Sequence, residues 1–235
     1  MNDNTKNIIS SLCGTTVAEL VTLPVCTIKT NYQTVSDQKI NNVIKSIYYQ
    51  RGLKGFYSAS VPAISAQVIS TTGKYTLYRL GTSYDIPRIP AGILSGIAIS
   101  IFTHPLDFVR VSLQRKESVI DHYQKSGIKI FYRGYSKNIT KVMVASSLYL
   151  PVYDFTKDHI DNSFVAALTS AIISTTLIQP FDYIKTRNIA GVGWYQGLNP
   201  QVYFRGCSLN LLRIVPHFII VMTLTEFIKS SLVSN

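Results

Sequence analysis

The sequence predicts an all-α membrane protein: six transmembrane helices in three pseudo-threefold helix-pair repeats around a central cavity. Three observations carry that expectation. The 235 residues are 46% hydrophobic and only 15% charged, where soluble domains carry about a quarter of charged residues. Six apolar segments are each long enough to cross a bilayer, which takes roughly 20 residues. One proline-centred motif recurs three times in the same phase, the mark of a repeat architecture.

The composition also excludes several classes. Net charge is +11, from 23 Lys and Arg against 12 Asp and Glu, and mean hydropathy is +0.18. A soluble nucleic-acid binder would reach that bias with many more basic residues, so no nucleic-acid partner is expected. The apolar content excludes disorder. Cys13, Cys26 and Cys207 are scattered, with no C-x-x-C spacing, so neither a disulfide framework nor a zinc site is expected. No P-loop, Ser-His-Asp arrangement or metal cluster appears, so the chain is not expected to be an enzyme or to hold a cofactor. The first residues, Met1 to Lys6, show no transit peptide or cleavable signal.

The spans run over 8–30, 58–80, 88–112, 136–157, 162–186 and 207–230. Each carries Ser, Thr, Asn or Gln on part of its circumference. In a membrane such a polar stripe must face a water-filled interior. The first span ends on Pro24-Val25-Cys26-Thr27-Ile28-Lys29, the third on Pro105-Leu106-Asp107-Phe108-Val109-Arg110, the fifth on Pro180-Phe181-Asp182-Tyr183-Ile184-Lys185. The even spans open after Phe56-Tyr57-Ser58-Ala59, Phe131-Tyr132-Arg133-Gly134 and Tyr203-Phe204-Arg205-Gly206. The chain therefore divides into repeats at 1–82, 83–161 and 162–235. Gly92 and Gly96, and Ala167 and Ala171, suit close helix packing. His104, His217 and Trp194 stand alone and are expected to pack rather than act.

Proline inside a span kinks the helix and turns its lower end inward. With an acid two residues on and a base three beyond that, three kinked helices can link acid to base in a ring. Asp107, Arg110, Asp182, Lys185 and Lys29 supply most of that ring. Cys26 stands where the first acid should be, so two of three pairs are expected.

This pattern resembles the mitochondrial carrier family over essentially the whole chain. The family's signature is proline, an acid and a base in this spacing, a short matrix segment, then an aromatic residue, a base and glycine. The second and third repeats match it, and the first departs at Cys26 and at Ser58-Ala59. The stretches between signatures, from Pro24 to Ser58, Pro105 to Arg133 and Pro180 to Arg205, are short for the family. The matrix helices are therefore expected to be shortened, the third nearly absent. The Ile-, Asn-, Lys- and Tyr-rich usage looks like a giant-DNA-virus member of that family.

The resemblance assigns roles. The ring is the matrix gate, braced by Gln33 and Gln114, with Ile189 at the third brace position. Asp154 with Lys157, and Glu226 with Lys229, place acid and base three residues apart on one helical face and are similar to the family's cytosolic gate. Ordinary helix-end charge pairing is the alternative there. Substrate contact points, seven residues past the signature glycines, fall at Ala66 with Gln67, Lys141 with Val142, and Arg213 with Ile214. A membrane-buried cation costs at least ~2.5 kcal/mol, so Lys141 and Arg213 call for an anion. Glu19, the one mid-span acid outside the motifs, could instead pair with either cation, join the substrate site or carry a coupled proton.

The expected partners are an anionic small molecule and the lipid bilayer, with cardiolipin implied by the family; a monomer is expected. A nucleotide is the first choice, phosphates on Lys141 and Arg213, base near Val142, Ala66 and Gln67. Two departures stand against an ordinary ADP/ATP exchanger. Lys141-Val142 replaces a glycine and an aliphatic residue, and Lys185-Thr186-Arg187-Asn188 replaces an Arg-rich tract. A keto acid or phosphate-type anion carrier is the runner-up, and a carrier-like scaffold that binds without transporting is the third reading. The odd-to-even connections hold 15 basic residues and three acids, against five and six at the termini and remaining connections. By the positive-inside rule the motif ends then face the matrix, with both termini on the intermembrane-space side of the mitochondrial inner membrane.

Overall fold

The computed structural model describes residues 3–35 and 38–233, with side chains described for all of these except 3–9, 11, 149–150, 163, 226 and 229–233. Among the described residues every regular element is helical. Six helices are long: α1 (Asp3–Thr34), α3 (Ser60–Ser83), α4 (Arg88–Gln114), α6 (Tyr135–His159), α7 (Ser163–Ile189) and α9 (Cys207–Val233). Three are short: α2 (Ile40–Arg51), α5 (Val119–Ser126) and α8 (Pro200–Tyr203). The same order of long helix, short helix and long helix thus recurs three times. The short helices shrink along the chain, from 12 residues to eight to four, as the spacing between signatures predicts.

Four segments are long and apolar enough to cross a membrane: Leu12–Thr34, Arg88–Gln114, Phe164–Ile189 and Pro200–Thr225. Helices α3 and α6 fall below that threshold because each spreads Ser, Thr and Lys along its length, Lys74 and Lys141 among them.

Neighbouring long helices touch in one closed circuit, α1 to α3 to α4 to α6 to α7 to α9 and back to α1. A closed ring leaves a lumen where a globular domain would have its core. At the motif end α1, α4 and α7 also touch one another, so the three helices that carry the motif prolines (Pro24, Pro105 and Pro180) converge on the axis there.

Small residues set how closely the ring closes. A side chain at Gly14 would meet the Val221 carbonyl of α9 at 3.2 Å, and one at Gly96 would meet Val142 of α6 at 2.8 Å. Gly92, expected to act together with Gly96, faces open space; only Gly96 is turned toward a neighbouring helix. The apolar clusters lie at the motif end. Val43, Ile47 and Phe56 seat α2 and the turn after it against Ile28 and Tyr32. Phe108, Val111 and Ile130 do the same for the second connection, with Ile189 and Ala190 from α7. This packing fixes the odd-helix ends, and with them the charged side chains they carry.

Candidate functional site

Where the three kinked helices converge, acid and base meet across repeats. Lys29 of α1 reaches Asp182 of α7 at 2.5 Å, and Lys185 of α7 reaches Asp107 of α4 at 2.7 Å. All four side chains are at least three-quarters buried. The third base, Arg110, faces Cys26, whose Sγ lies 2.9 Å from its guanidinium. A thiol brings no fixed charge, and Arg110 takes its carboxylate from Glu19 at 2.5 Å. Glu19 precedes Cys26 by seven residues, two helical turns, and so shares its face of α1 at a spacing of about 10 Å. The ring has its third acid, displaced two turns into the lumen.

The displacement ties the ring to the layer above. Glu19, 1% exposed at its side chain, also accepts from Arg213 of α9 at 3.4 Å. Lys141 of α6 pairs with Asp182, which Lys29 already holds. The two candidate substrate cations are therefore both ion-paired to acids of the odd helices. Lys29 further donates to Asn210, and Asn210 to Gln179. At the level of the ring lies a cavity of about 140 Å³ lined by Lys29, Asp107, Arg110, Lys141, Asp182, Lys185 and Arg213, and reaching a turn beyond the ring to Gln114 and Ile189. Five cations against three acids, counting Glu19 beneath Arg213, leave it net positive.

The other site residues fall as follows. Gln33 and Gln114 are buried beside the ring, but their amides go to the Arg205 carbonyl and to the Thr27 hydroxyl rather than to the ion pairs. Val142 is turned against Gly96 of α4, and Ala66 is buried; neither they nor Gln67 line the cavity. At the opposite end Asp154 and Lys157 make no ion pair among the described residues. Asp154 instead edges a separate pocket with Pro87, Arg88 and Pro151. The side chains of Glu226 and Lys229 lie outside the described residues. The charged layer is thus closed at the motif end.

A second set of contacts, which sequence reasoning missed, seals that end. The last carbonyls of a helix have no partner within it, and here each odd helix is capped from the preceding repeat in cyclic order. Arg133 donates to the Ile189 carbonyl at 2.8 Å and Arg205 to the Tyr32 carbonyl at 2.9 Å. In the first repeat Ser58 stands at the arginine position and its hydroxyl donates to the Leu113 carbonyl at 3.2 Å, joined there by Arg51, from the end of α2, at 2.7 Å. Gly134 and Gly206 take φ of +81° and +82°, the left-handed region open to glycine. Ala59 turns at φ −112° and needs no glycine. Arg115 and Arg187 add parallel caps on the Ala190 and Gln33 carbonyls. Arg133 and Arg205 belong to the signature that opens the even spans, whereas Arg51, Arg115 and Arg187 stand in the sequence only as loop charge; nothing in their spacing names the carbonyl each reaches.

A closed ring of helices, three of them ion-paired to one another just past their motif prolines around a cationic cavity, is the architecture of a membrane carrier. The sequence profile of mitochondrial carrier proteins matches residues 2–84 and 85–163, and the chain belongs to the mitochondrial carrier family. The matched segments include the first repeat despite Cys26, Ser58 and Ala59; the third helix pair, with its four-residue linking helix, lies outside them. The chain is 45% identical to the mitochondrial carrier-like protein of Acanthamoeba polyphaga mimivirus over 95% of both chains. It is 22% identical to the mitochondrial dicarboxylate transporter of Saccharomyces cerevisiae, over 90% of this chain and 88% of that one. It is also 22% identical to the mitochondrial thiamine pyrophosphate carrier 1 of Kluyveromyces lactis, over 77% and 68%. Membership makes the chain a multi-pass transporter rather than an enzyme.

Proposed function

We propose that this carrier exchanges a multiply charged anionic metabolite, most favourably a nucleotide or deoxynucleotide, across the mitochondrial inner membrane. The observation that carries the reading is the charge of the cavity: Lys29, Arg110, Lys141, Lys185 and Arg213 against Glu19, Asp107 and Asp182. An anion entering from the end opposite the ring exchanges the Lys141–Asp182 and Arg213–Glu19 contacts for contacts with itself. That leaves Asp182 to Lys29 and Glu19 to Arg110 alone, so the ion pairs of the ring change with occupancy, and differential affinity of this kind is what shifts a two-state equilibrium. The three helix pairs, 1–82, 83–161 and 162–235, then rock about the central site, with all six long helices spanning the bilayer. The basic excess of the motif end favours that end in the matrix and both termini in the intermembrane space.

The names of the yeast relatives support the charge class, since dicarboxylates and thiamine pyrophosphate both bear more than one acidic group. They do not choose between sizes. The cavity, at about 140 Å³, is smaller than the roughly 300–1,000 Å³ of a site for a drug-sized ligand. It suits a phosphate group, with the base standing beyond it toward the open end. The same volume favours the second reading, a compact anion such as phosphate or a keto acid.

The test is uptake by the purified protein in liposomes preloaded with unlabelled solute. Labelled deoxynucleotides, phosphate, keto acids and a cationic control are offered in turn. Uptake of a nucleotide supports the first reading and uptake of only the small anions the second. Uptake of none, beside a folded protein, would replace both with a binding scaffold.

A further inference from the structure

Each interior charge named so far meets an opposite charge; Lys74 does not. It stands on α3 and makes no hydrogen bond or ion pair among the described residues. Its side chain is nevertheless exposed, and the direction of that exposure can be read. Gln67, Thr71, Lys74 and Tyr78 recur at helical spacing as one polar stripe. Other faces of α3 differ: Gly73 is turned against Ile99 of α4, and the exposed Val61, Ile69 and Leu80 lie off the polar stripe, on an apolar face suited to lipid. The charges acting on the Lys74 ammonium are Lys141, Lys185 and Asp107, all of the cavity wall. The stripe therefore faces the lumen.

Its depth differs from that of the other two even-helix cations. Lys141 and Arg213 follow Gly134 and Gly206 by seven residues, whereas Lys74 follows Ala59 by fifteen. Eight residues add about 12 Å along the axis, and helical side chains tilt back toward the N-terminus. The ammonium therefore hangs over the cavity from its open side. A lone cation at that place, focused by a lumen of low-dielectric walls, attracts whatever anion approaches.

We propose that Lys74 is an outer anion-binding point, resting on the anion-transport reading above. It engages the charge that Lys141 and Arg213 leave unneutralised, and so selects anions of three or more charges over those of two. The experiment compares nucleoside mono-, di- and triphosphate uptake by wild type, Lys74→Gln and Lys74→Arg in liposomes, with thermal unfolding in detergent to check each fold. Were Lys74→Gln not to survive purification, Lys74→Met takes its place.

Removing the charge is expected to raise KM for the triphosphate about tenfold, within the range of electrostatic focusing. KM for the monophosphate should change by less than about twofold, Vmax should hold, and the salt dependence of triphosphate uptake should flatten. Lys74→Arg should restore all of these. If wild type transports anions and the uncharged variant keeps the wild-type KM across the series, the assignment is overturned. Failure of arginine to rescue overturns it too, because the role would then lie in packing rather than charge. If wild type itself moves no anion, it is the transport reading that falls, and the outer point with it.

Discussion

Glu19 is where the structure makes its sharpest demand. Glu19→Gln keeps the size of a side chain that is 1% exposed, removes its charge, and turns one of the two oxygens that accept from Arg110 and Arg213 into a donor. Arg110 and Arg213, 15% and 24% exposed, would then share no carboxylate. Stripping one partner from a buried pair costs about 3–5 kcal/mol. Because the amide still accepts a hydrogen bond and the cavity admits water, the lower end applies. At roughly 2–4 °C per kcal/mol for a chain of this size, the melting temperature in detergent should fall by roughly 6–12 °C. Cys26→Ala, which removes one N–H···S contact, should cost less than about 1 kcal/mol. Returning the acid to the motif position, in Glu19→Gln with Cys26→Asp, should recover most of the loss. In the wild-type background Cys26→Asp should gain less, since Arg110 is already paired; that difference is the coupling a double-mutant cycle measures. A Glu19→Gln protein that melts with the wild type, or a double variant no more stable than Glu19→Gln alone, would refute the displaced-acid reading.

Lys141→Ala and Arg213→Ala should each nearly abolish nucleotide uptake, a loss on the order of 2–5 kcal/mol at a desolvated contact. Both proteins should stay folded, because Asp182 keeps Lys29 and Glu19 keeps Arg110; wild-type rates in both would remove them from the site. Arg51→Ala should lower the melting temperature by a few degrees, because it removes the charged donor to the Leu113 carbonyl and leaves only the Ser58 hydroxyl there; a charged hydrogen bond is worth about 1.5–3 kcal/mol. An unchanged transition would leave the first repeat without its substitute cap. In a background lacking the native cysteines, single cysteines at Ser46 on α2 and at Asp161, both exposed, should label from opposite faces of the membrane. Ser46 should react from the matrix side, and labelling of both from one face would reverse the topology argument.

What the sequence made legible follows from what periodic patterns encode. The six long helices begin and end within a few residues of the apolar segments, apart from the first, which starts five residues earlier at Asp3. The prolines, acids and bases of the motif place charge at fixed positions on each helix, so two acid–base pairs in one ring could be expected by counting; that Lys29 takes Asp182 and Lys185 takes Asp107 follows from the order of the helices around the lumen. Counting fails where a side chain looks beyond its own register. Arg110 lacks its motif acid and finds one two turns away, because a long guanidinium reaches whatever carboxylate shares its lumen. The same holds for Arg51, which sits seven residues before Ser58 yet performs the capping that Arg133 and Arg205 perform in the other repeats. Val142 shows the converse error. It occupies the position next to a lumen cation, but adjacent residues on a helix point about 100° apart, and it turns to Gly96 of α4. In the first repeat, then, both departures from the family motif draw on residues outside it. Glu19 restores the missing negative charge, and Arg51 brings the missing guanidinium to a carbonyl that the Ser58 hydroxyl also caps. The charge at Glu19 no longer belongs to the ring alone. Because one carboxylate holds both Arg110 and Arg213, an anion that takes Arg213 changes in the same step the charge that Arg110 faces, a link that an acid at position 26 would not provide.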